Sequence, residues 1–314
     1  MGQKNKEKNF VSCVVYLHND GEVVGEFLGS ICGVMQENFE KYEIVCVNDG
    51  CTDDTVEQVH AFLEKQSDLK AVSLINLSFY QGVETAMNAG SDLVVGDFLF
   101  EFDRCCPDFD PELVMQVYRR ALEGYDVVSA APKKGVALSS KIFYALYNWS
   151  SHFRYRIRQE RFRIVSRRAV NRVNQMNVYV PYRKAMYMNC GLKAEHVYYD
   201  ELSVEHAVDH RKEHSGRVEL AMDAFIYYTN LMEYIALGIT ILFFLITLGI
   251  LAFVFWSFFW DQSLVSGWVS MMGFLSMAFI GIFGLLAIGL KYLSVLVDLL
   301  YRQSHYTIEN VEKL

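Results

Sequence analysis

Between residues 11 and 130 the chain alternates short, nearly unbroken apolar runs with stretches of helical spacing. Residues 11–17, 42–47, 70–76, 97–102 and 126–130 are rich in β-branched and aromatic side chains and read as strands. Their near-continuous apolar character is that of parallel strands covered on both faces, not of a sheet with one wet side. Between them, residues 22–35, 53–65, 82–93 and 111–123 carry apolar side chains at three- and four-residue steps and read as helices. Strand and helix in strict turn predict an α/β fold with a Rossmann-like, mostly parallel sheet and helices on both faces. Ligands of such sheets bind beyond the carboxyl ends of the strands, so chemistry is expected in the loops that follow them.

The pattern changes after residue 140. From 141 to 230 aromatic and basic residues interleave (KIFYALYNWSSHFRYRIRQERFRIVSRR), with Arg154, Arg156, Arg158, Arg161, Arg163, Arg167 and Arg168 among Tyr and Phe. One reading is a solvated basic face. The other is an interfacial amphipathic segment whose arginines meet phosphates and lipid headgroups. Further on, no charge falls between Tyr234 and Trp260, nor between Gln262 and Leu290. Each stretch exceeds the roughly 20 residues a helix needs to cross hydrocarbon. Two transmembrane helices are therefore expected, at 231–260 and 269–290, joined by a loop at 261–268 and followed by a juxtamembrane helical tail at 291–314 that returns to the front domain. Arg211, Lys212 and Arg217 precede the first span, Lys291 and Arg302 follow the second, and the loop has Asp261 but no Lys or Arg. This asymmetry places the front domain and both termini in the cytoplasm of a multi-pass protein of the cytoplasmic membrane, with Trp256, Trp260 and Trp268 as an interfacial belt. MGQKNKEKNF has no apolar signal segment, which again predicts a front domain that is not exported.

Composition narrows the partners. A net charge of −8 argues against nucleic acid. Seven cysteines, with no CxxC pair of metal type, fit reduced thiols better than a disulfide framework.

Three acidic or amide-rich stations follow three of the strands: His18-Asn19-Asp20, then Asn48-Asp49-Gly50-Cys51-Thr52-Asp53-Asp54, then Glu101-Phe102-Asp103. Carboxylates at such positions can grip ribose hydroxyls, bond a base edge, or hold a divalent cation through oxygen. The second station also has a bland reading as a turn and helix cap. In the third, strand alternation puts both carboxylates on one face and Phe102 on the other, and buried paired carboxylates are costly unless paired or metal-bound. His206, His210 and His214 recur at helical steps, which suits a transition metal or, more simply, a polar face beside the membrane.

These elements together resemble glycosyltransferase family 2, of GT-A fold, and within it the polyprenyl-phosphate branch of dolichol-phosphate mannose synthases and bactoprenol-phosphate glucosyltransferases with two C-terminal spans. The resemblance runs through VSCVVYLHND, VNDGCTDDT, NLSFYQGVETAMNAG, GDFLFEFD, RFRIVSRRAV, RKEHSGR and KYLSVLVDLLYRQSHYTI. It implies a nucleotide-sugar-binding core at 1–140, completed by an acceptor-side and membrane-interface segment at 141–230. It implies transfer of a hexosyl group, with inversion, from a nucleotide diphosphate sugar carrying uridine or guanosine to a polyprenyl phosphate, in the service of cell-envelope polysaccharide. Asn19, Asp20 and Asp49 would contact the donor nucleoside, with Asp49 reaching the base. Glu101 and Asp103 would hold Mg²⁺ or Mn²⁺, Asp103 as the second acid of the metal motif. Glu160, Arg163 and Ser166 fall in the acceptor-side segment; Lys141, Arg211 and Arg217 match basic positions near the phosphates. The branch also implies assembly as a homo-tetramer. Where the family has D-x-D-L-Q-x-P-P, this chain has Glu101-Phe102-Asp103-Arg104-Cys105-Cys106-Pro107, and His214 and Gly216 replace Gly and Ser of the basic motif. Two other readings stay open at this point: a processive polysaccharide synthase, which would carry Q-x-x-R-W and more spans, and a non-catalytic membrane scaffold.

Overall fold

The computed structural model describes residues 5–65, 72–133, 155–176, 182–202, 267–301 and 306–314, with isolated positions between 141 and 149 and between 238 and 249. Two compact units are present: Met1–Val218 with Ser304–Leu314, and Glu219–Gln303.

The first unit is built on an eight-stranded sheet. Its elements are β1 (Glu7–Leu17), α1 (Val24–Asn38), β2 (Phe39–Asn48), α2 (Thr55–Glu64), β3 (Val72–Leu77), α3 (Val83–Leu93), β4 (Phe98–Phe102), α4 (Glu112–Leu122), β5 (Val127–Pro132), β6 (Phe162–Ser166), α5 (Arg167–Gln175), α6 (Arg183–Asn189), β7 (Ala194–Tyr199) and β8 (Ile308–Lys313). The strand order is β7-β5-β6-β4-β1-β2-β3-β8. Pairings β1/β2, β1/β4, β2/β3 and β5/β7 are parallel. β6 lies antiparallel between β4 and β5, and β8 antiparallel on β3. The chain steps outward from β1 to β3 and then returns to lay β4 on the other side of β1. That reversal opens a crevice beyond the carboxyl ends of β1 and β4, where open α/β sheets bind ligands.

Burial explains why the apolar runs are unbroken. Val11, Cys13, Val14, Val15 and Leu17 of β1 are each 0% exposed, since helices cover both faces of the central strand. α1 buries Val24, Phe27, Leu28, Ile31, Cys32 and Met35, a stripe at three- and four-residue steps. On that face Phe102 and Phe162 meet with ring centroids 5.1 Å apart, and Phe27 meets Phe102 edge-on at 5.5 Å. On the opposite face α3 presses close to the sheet: a Cβ on Gly90 would sit 2.3 Å from a Val14 methyl. Glycine there lets the second half of α3 lie close against β1 and β2.

Two segments differ from expectation. The basic and aromatic stretch is not a lipid-facing amphipathic helix at its C-terminal end; it supplies β6 and α5. Arg161 pairs with Asp108, Arg167 donates to the carbonyls of Val94 and Gly96, and Arg168 chelates Asp126, so these side chains tie the sheet together. The tail is not helical to its end: residues 308–313 form β8 on the sheet edge.

In the second unit α7 (Trp268–Tyr301) is one 34-residue helix, about 50 Å long at 1.5 Å per residue. Its window Met277–Leu296 has a mean hydropathy of 2.0 and is long and apolar enough to cross a membrane. Phe283 and Leu290 are 66% and 65% exposed. The Phe243 ring packs on Gly281, where a Cβ would come within 2.1 Å of it. Most of the first expected span and of the loop at 261–268 lies outside the described residues, as do His206, His210 and His214.

Candidate active site

Four side chains donate to the carboxylates at the end of β4: Arg163, Arg183, Tyr187 and Ser91. Glu101 lies opposite Arg163 in the antiparallel β4/β6 register, so strand geometry alone sets the two side chains on one face. Arg163 is 3% exposed and spends its whole fork on carboxylates: Nη1 on Glu101, Nη2 on Asp103, and Nε on Glu160 at 2.7 Å. α6 closes the cluster from above. Its Arg183 donates from Nη2 to Asp103 at 2.7 Å, and from Nε and its backbone N–H to Glu84 at 3.1 and 3.0 Å. Tyr187, one turn on, donates to Glu101 at 2.9 Å, as does Ser91 of α3 at 3.1 Å. Lys184 donates to the Arg158 carbonyl, stands 3.8 Å from Glu160 and lies over the Tyr144 ring at 5.2 Å.

Four carboxylates thus face three cations, with one negative charge left over. Burial pushes the carboxyls of Glu84, Asp103 and Glu160 towards their neutral form. At Asp103 the guanidiniums of Arg163 and Arg183 outweigh burial and hold the carboxyl below its ordinary value; at Glu160, Arg163 and Lys184 do the same. At Glu84 burial wins and the carboxyl is raised. Within this cluster, among the described residues, Glu160 Oε2 and Arg183 Nη1 are buried without a hydrogen-bond partner.

The loops after β1 and β2 are held differently. Asp49 is 0% exposed and accepts from Tyr16 OH at 3.0 Å and from the Gln81 and Gly82 N–H groups at 2.6 and 2.9 Å. Burial raises its carboxyl all the same. Asp49 therefore fastens the β3–α3 loop, a different setting from the expected reach towards a base. Gly50 is required twice: its φ is 63°, and a Cβ would fall 2.8 Å from Tyr80 N. Asn19, at φ 57°, takes the left-handed conformation that asparagine tolerates, and its side chain accepts from Thr52 N–H at 2.8 Å. Asp20 accepts from His18 N–H at 2.9 Å, and burial pushes its carboxyl up to about 6.

Of the expected site residues, the structure gathers Glu101, Asp103, Glu160 and Arg163 in one cluster and leaves Asn19 and Asp20 on the neighbouring rim. Arg163 is fully engaged by carboxylates and does not present the free guanidinium expected for a phosphate. Glu101 is 0% exposed and fully bonded, which sets it apart from its expected place as a metal ligand. Ser166 pairs with Phe98, at the amino end of β4, and its hydroxyl caps α5 by accepting from Ala169 N–H at 3.2 Å; it is far from the cluster. Lys141 is exposed and lines a separate pocket, while Arg211 and Arg217 lie outside the described residues. Glu84, Arg183, Lys184 and Tyr187 were not expected.

For a divalent cation the fit rests on Asp103. Its side chain is 29% exposed, its carboxyl is held ionised, and it stands at the mouth of the crevice. Cys105 is no ligand: it is 1% exposed, its thiol is raised by burial, and it donates to the Tyr16 carbonyl. Among the described residues no group of three or more His, Cys, Asp or Glu is arranged around a metal position. Asp103 would thus be a lone carboxylate ligand, with the remaining oxygens coming from substrate and water, as oxygen-seeking Mg²⁺ allows.

Beside the cluster, behind Arg158 and Gln159, opens a cavity of about 840 Å³. Lys133, Lys141, Arg156 and Arg158 line it with Trp149 and Tyr198, and among the described residues no carboxylate does. Trp149 is 76% exposed.

The sheet order, the crevice and the acidic strand end are those of a GT-A glycosyltransferase core. The chain belongs to glycosyl transferase family 2, whose model matches residues 12–179. It is 25% identical over 196 residues to an uncharacterized glycosyltransferase of Synechocystis sp., covering 60% of each chain. It is 29% identical over 118 residues to an undecaprenyl-phosphate 4-deoxy-4-formamido-L-arabinose transferase of Serratia proteamaculans, covering 38% of this chain and 35% of that protein. Alignments to the first of these and to an uncharacterized glycosyltransferase of Bacillus subtilis span about 60% of the relatives' own length. A mannosyltransferase from Pyrobaculum calidifontis, solved with GDP-Man and Mn²⁺, superposes at a TM-score of 0.49 with 17% identity, covering 70% of this chain and 63% of that one.

Proposed function

We propose that this chain transfers a hexosyl group, with inversion, from a uridine or guanosine diphosphate sugar to a polyprenyl monophosphate. The observation that carries the reading is the cationic, aromatic-rimmed cavity joined to the acidic cluster through Lys184 and Arg158. Its volume is within the range of about 300–1,000 Å³ typical of ligand pockets. Lys133 is paired with Asp200 at 2.7 Å, and the remaining cations Lys141, Arg156 and Arg158 suit a phosphate monoester, while exposed Trp149 and Tyr198 suit the first apolar units of the chain that carries it. The kinship with undecaprenyl-phosphate transferases and the exposed apolar face of α7 point the same way. An apolar helix of that length is stable in lipid and not in water. The proposal therefore includes membrane attachment, with two spans, a cytoplasmic catalytic unit and a homo-tetramer.

The acceptor phosphate is already an anionic nucleophile, so no strong general base is required. What the residues must do is place its oxygen behind the anomeric carbon and screen two anionic substrates from one another. Lys184 and Arg158, with Lys141 at the rim, would orient the acceptor phosphate. Arg183, whose Nη1 is unpartnered, would donate to the leaving diphosphate, and Arg163 would hold Asp103 in place. A Mg²⁺ or Mn²⁺ ion on Asp103 would neutralise charge on the leaving diphosphate. Arg211 and Arg217 are further candidates for phosphate contacts, Asn19 and Asp20 for the nucleoside.

The test is to incubate the purified protein in lipid with a panel of UDP- and GDP-sugars, Mg²⁺ or Mn²⁺, and undecaprenyl or dolichyl phosphate. A lipid-linked sugar should form, and Asp103→Ala should lower turnover by about 100-fold or more. Intact nucleotide binding with no lipid-linked sugar from any pair would sink the proposal.

A further inference from the structure

The tail that forms β8 does more than extend the sheet. Thr307, just before β8, makes a reciprocal pair with Gln81: its N–H donates to Gln81 Oε1 at 2.9 Å, and its carbonyl accepts from Gln81 Nε2 at 2.9 Å. The same carbonyl accepts from Ser78 N–H at 3.0 Å. One tail residue thus clasps both ends of the loop 78–82, and Gln81 N–H in turn donates to Asp49 at 2.6 Å. A second line of bonds reaches the loop after β2. Asn310 and Glu312 each accept from Asn76 Nδ2 at 2.6 Å, Asn76 accepts from Asn48 at 2.8 Å, and Asn48 accepts from the Cys51 N–H at 2.9 Å. Tyr306 OH donates to Asp92 at the far end of α3 at 2.9 Å.

We infer that the C-terminal segment 306–314 is a built part of the donor site, and that Gln81 and Thr307 are positioning residues for the nucleoside diphosphate. The loops 48–52 and 78–82 meet at the Gly50–Tyr80 contact, where main chain approaches main chain. Neither loop is a regular element, and loops of this kind are ordered only as far as something outside them fixes their amides. The tail provides that fixing from a point more than two hundred residues away in sequence. Gln81 suits the task because a carboxamide offers a donor and an acceptor side by side, matching the N–H and carbonyl of one extended residue. The inference rests on the reading that a nucleoside diphosphate sugar binds beyond β1, β2 and β4.

The experiment uses the full chain in lipid, with UDP and GDP as calorimetric probes and the matching UDP- and GDP-sugars in the transfer assay. Gln81→Ala removes both bonds to Thr307; Thr307→Pro removes one donor without touching the loop. Both variants should bind nucleotide about tenfold more weakly, the order expected for one or two lost neutral hydrogen bonds. Donor KM should rise to match, while kcat at saturating donor and the KM for the lipid acceptor stay within twofold of wild type. Lys313→Ala, on the same strand, should leave all of these unchanged. A general loss of folding would instead lower apparent kcat and leave both KM values unchanged, which would overturn the inference. So would nucleotide binding by Gln81→Ala and Thr307→Pro as tight as that of wild type. If wild-type protein bound neither UDP nor GDP, the functional reading would fall and the inference with it.

Discussion

Carboxylates line the crevice on two sides, and the two sides hold them in opposite ways. Beyond β1 and β2, Asp20 and Asp49 accept from uncharged donors: the His18 N–H for one, the Tyr16 hydroxyl and the Gln81 and Gly82 N–H groups for the other. Beyond β4, Asp103 and Glu160 accept from guanidinium. Burial acts on all four to favour the neutral acid. It prevails at Asp20 and Asp49, whose carboxyls are raised, and loses at Asp103 and Glu160, which are held low. Neutral hydrogen bonds at Asp20 and Asp49 do not offset the rise that burial imposes, whereas the guanidiniums at Asp103 and Glu160 do. A group meant to meet a divalent ion belongs on the second side, and that is where Asp103 stands.

The hardest blow to this contrast is removal of the central cation. Arg163→Met keeps the volume of the stem but leaves Glu101, Asp103 and Glu160 facing one another. Breaking a buried ion pair from one side costs about 3–5 kcal/mol. Chemical denaturation at pH 7 should show a loss of that order with an unchanged slope. At a pH low enough to protonate the freed carboxyls the loss should shrink. A loss below about 1 kcal/mol at pH 7 would mean that Arg163 does not hold the cluster, and the contrast would fail.

Arg163 also shows why the sequence revealed this side of the crevice less fully than the other. Strands β1 to β5 are legible because both of their faces are apolar, and the stations after them are legible because Asn, Asp and Gly mark turns. β6 escapes that pattern because its second residue is an arginine, and a buried arginine is indistinguishable along the chain from a solvated one. Its partner Glu101 lies 62 positions away, so only the strand pairing brings them together. Arg183 and Lys184 escape for the same reason, in a seven-residue helix with no acidic neighbour in sequence. β8 lies hidden in the expected helical tail, since an edge strand needs only one partner and most of its residues are exposed. The long apolar run, by contrast, announced α7 directly.

The pH dependence of stability separates the two sides by sign. The Asp20 carboxyl is raised in the fold from about 3.8 to about 6, so its protonated form is favoured by folding. Its contribution is fully present below the unfolded value and is lost as pH rises through 6. Asp103 is lowered, so its contribution is present above its ordinary value and is lost as pH falls through the folded one. Asp20→Asn can still accept the His18 N–H and carries no titrating group. Relative to wild type it should be neutral near pH 4 and more stable by about 2 kcal/mol at pH 7, counting 1.36 kcal/mol per unit and discounting for partial exposure. Thermal or denaturant midpoints of the two proteins across pH 4–7 make the comparison. Parallel curves would show that Asp20 is not strained by burial.

The smallest effect asks whether position in the fold or contact with water decides the sign. Asp53 belongs to the same loop side as Asp20 and Asp49 and likewise meets only neutral donors: Thr55 N–H at 3.1 Å, Thr55 OH at 2.5 Å and Gly21 N–H at 3.1 Å. Unlike them it is exposed, and its carboxyl is lowered: what burial it has acts to raise it, and the bonds from Thr55 and Gly21 outweigh that. Without a large desolvation penalty, amide hydrogen bonds suffice to favour the charged form. Asp53→Ala removes a group that satisfies the first turn of α2 and should cost about 1 kcal/mol at pH 7, the usual size of a lost helix cap. Because the carboxyl is lowered, that cost should vanish as pH falls below the ordinary value, the behaviour of Asp103 and not of Asp20. A cost that instead grew towards acid would place the decision with the loop itself, and burial would no longer account for the difference between the two sides of the crevice.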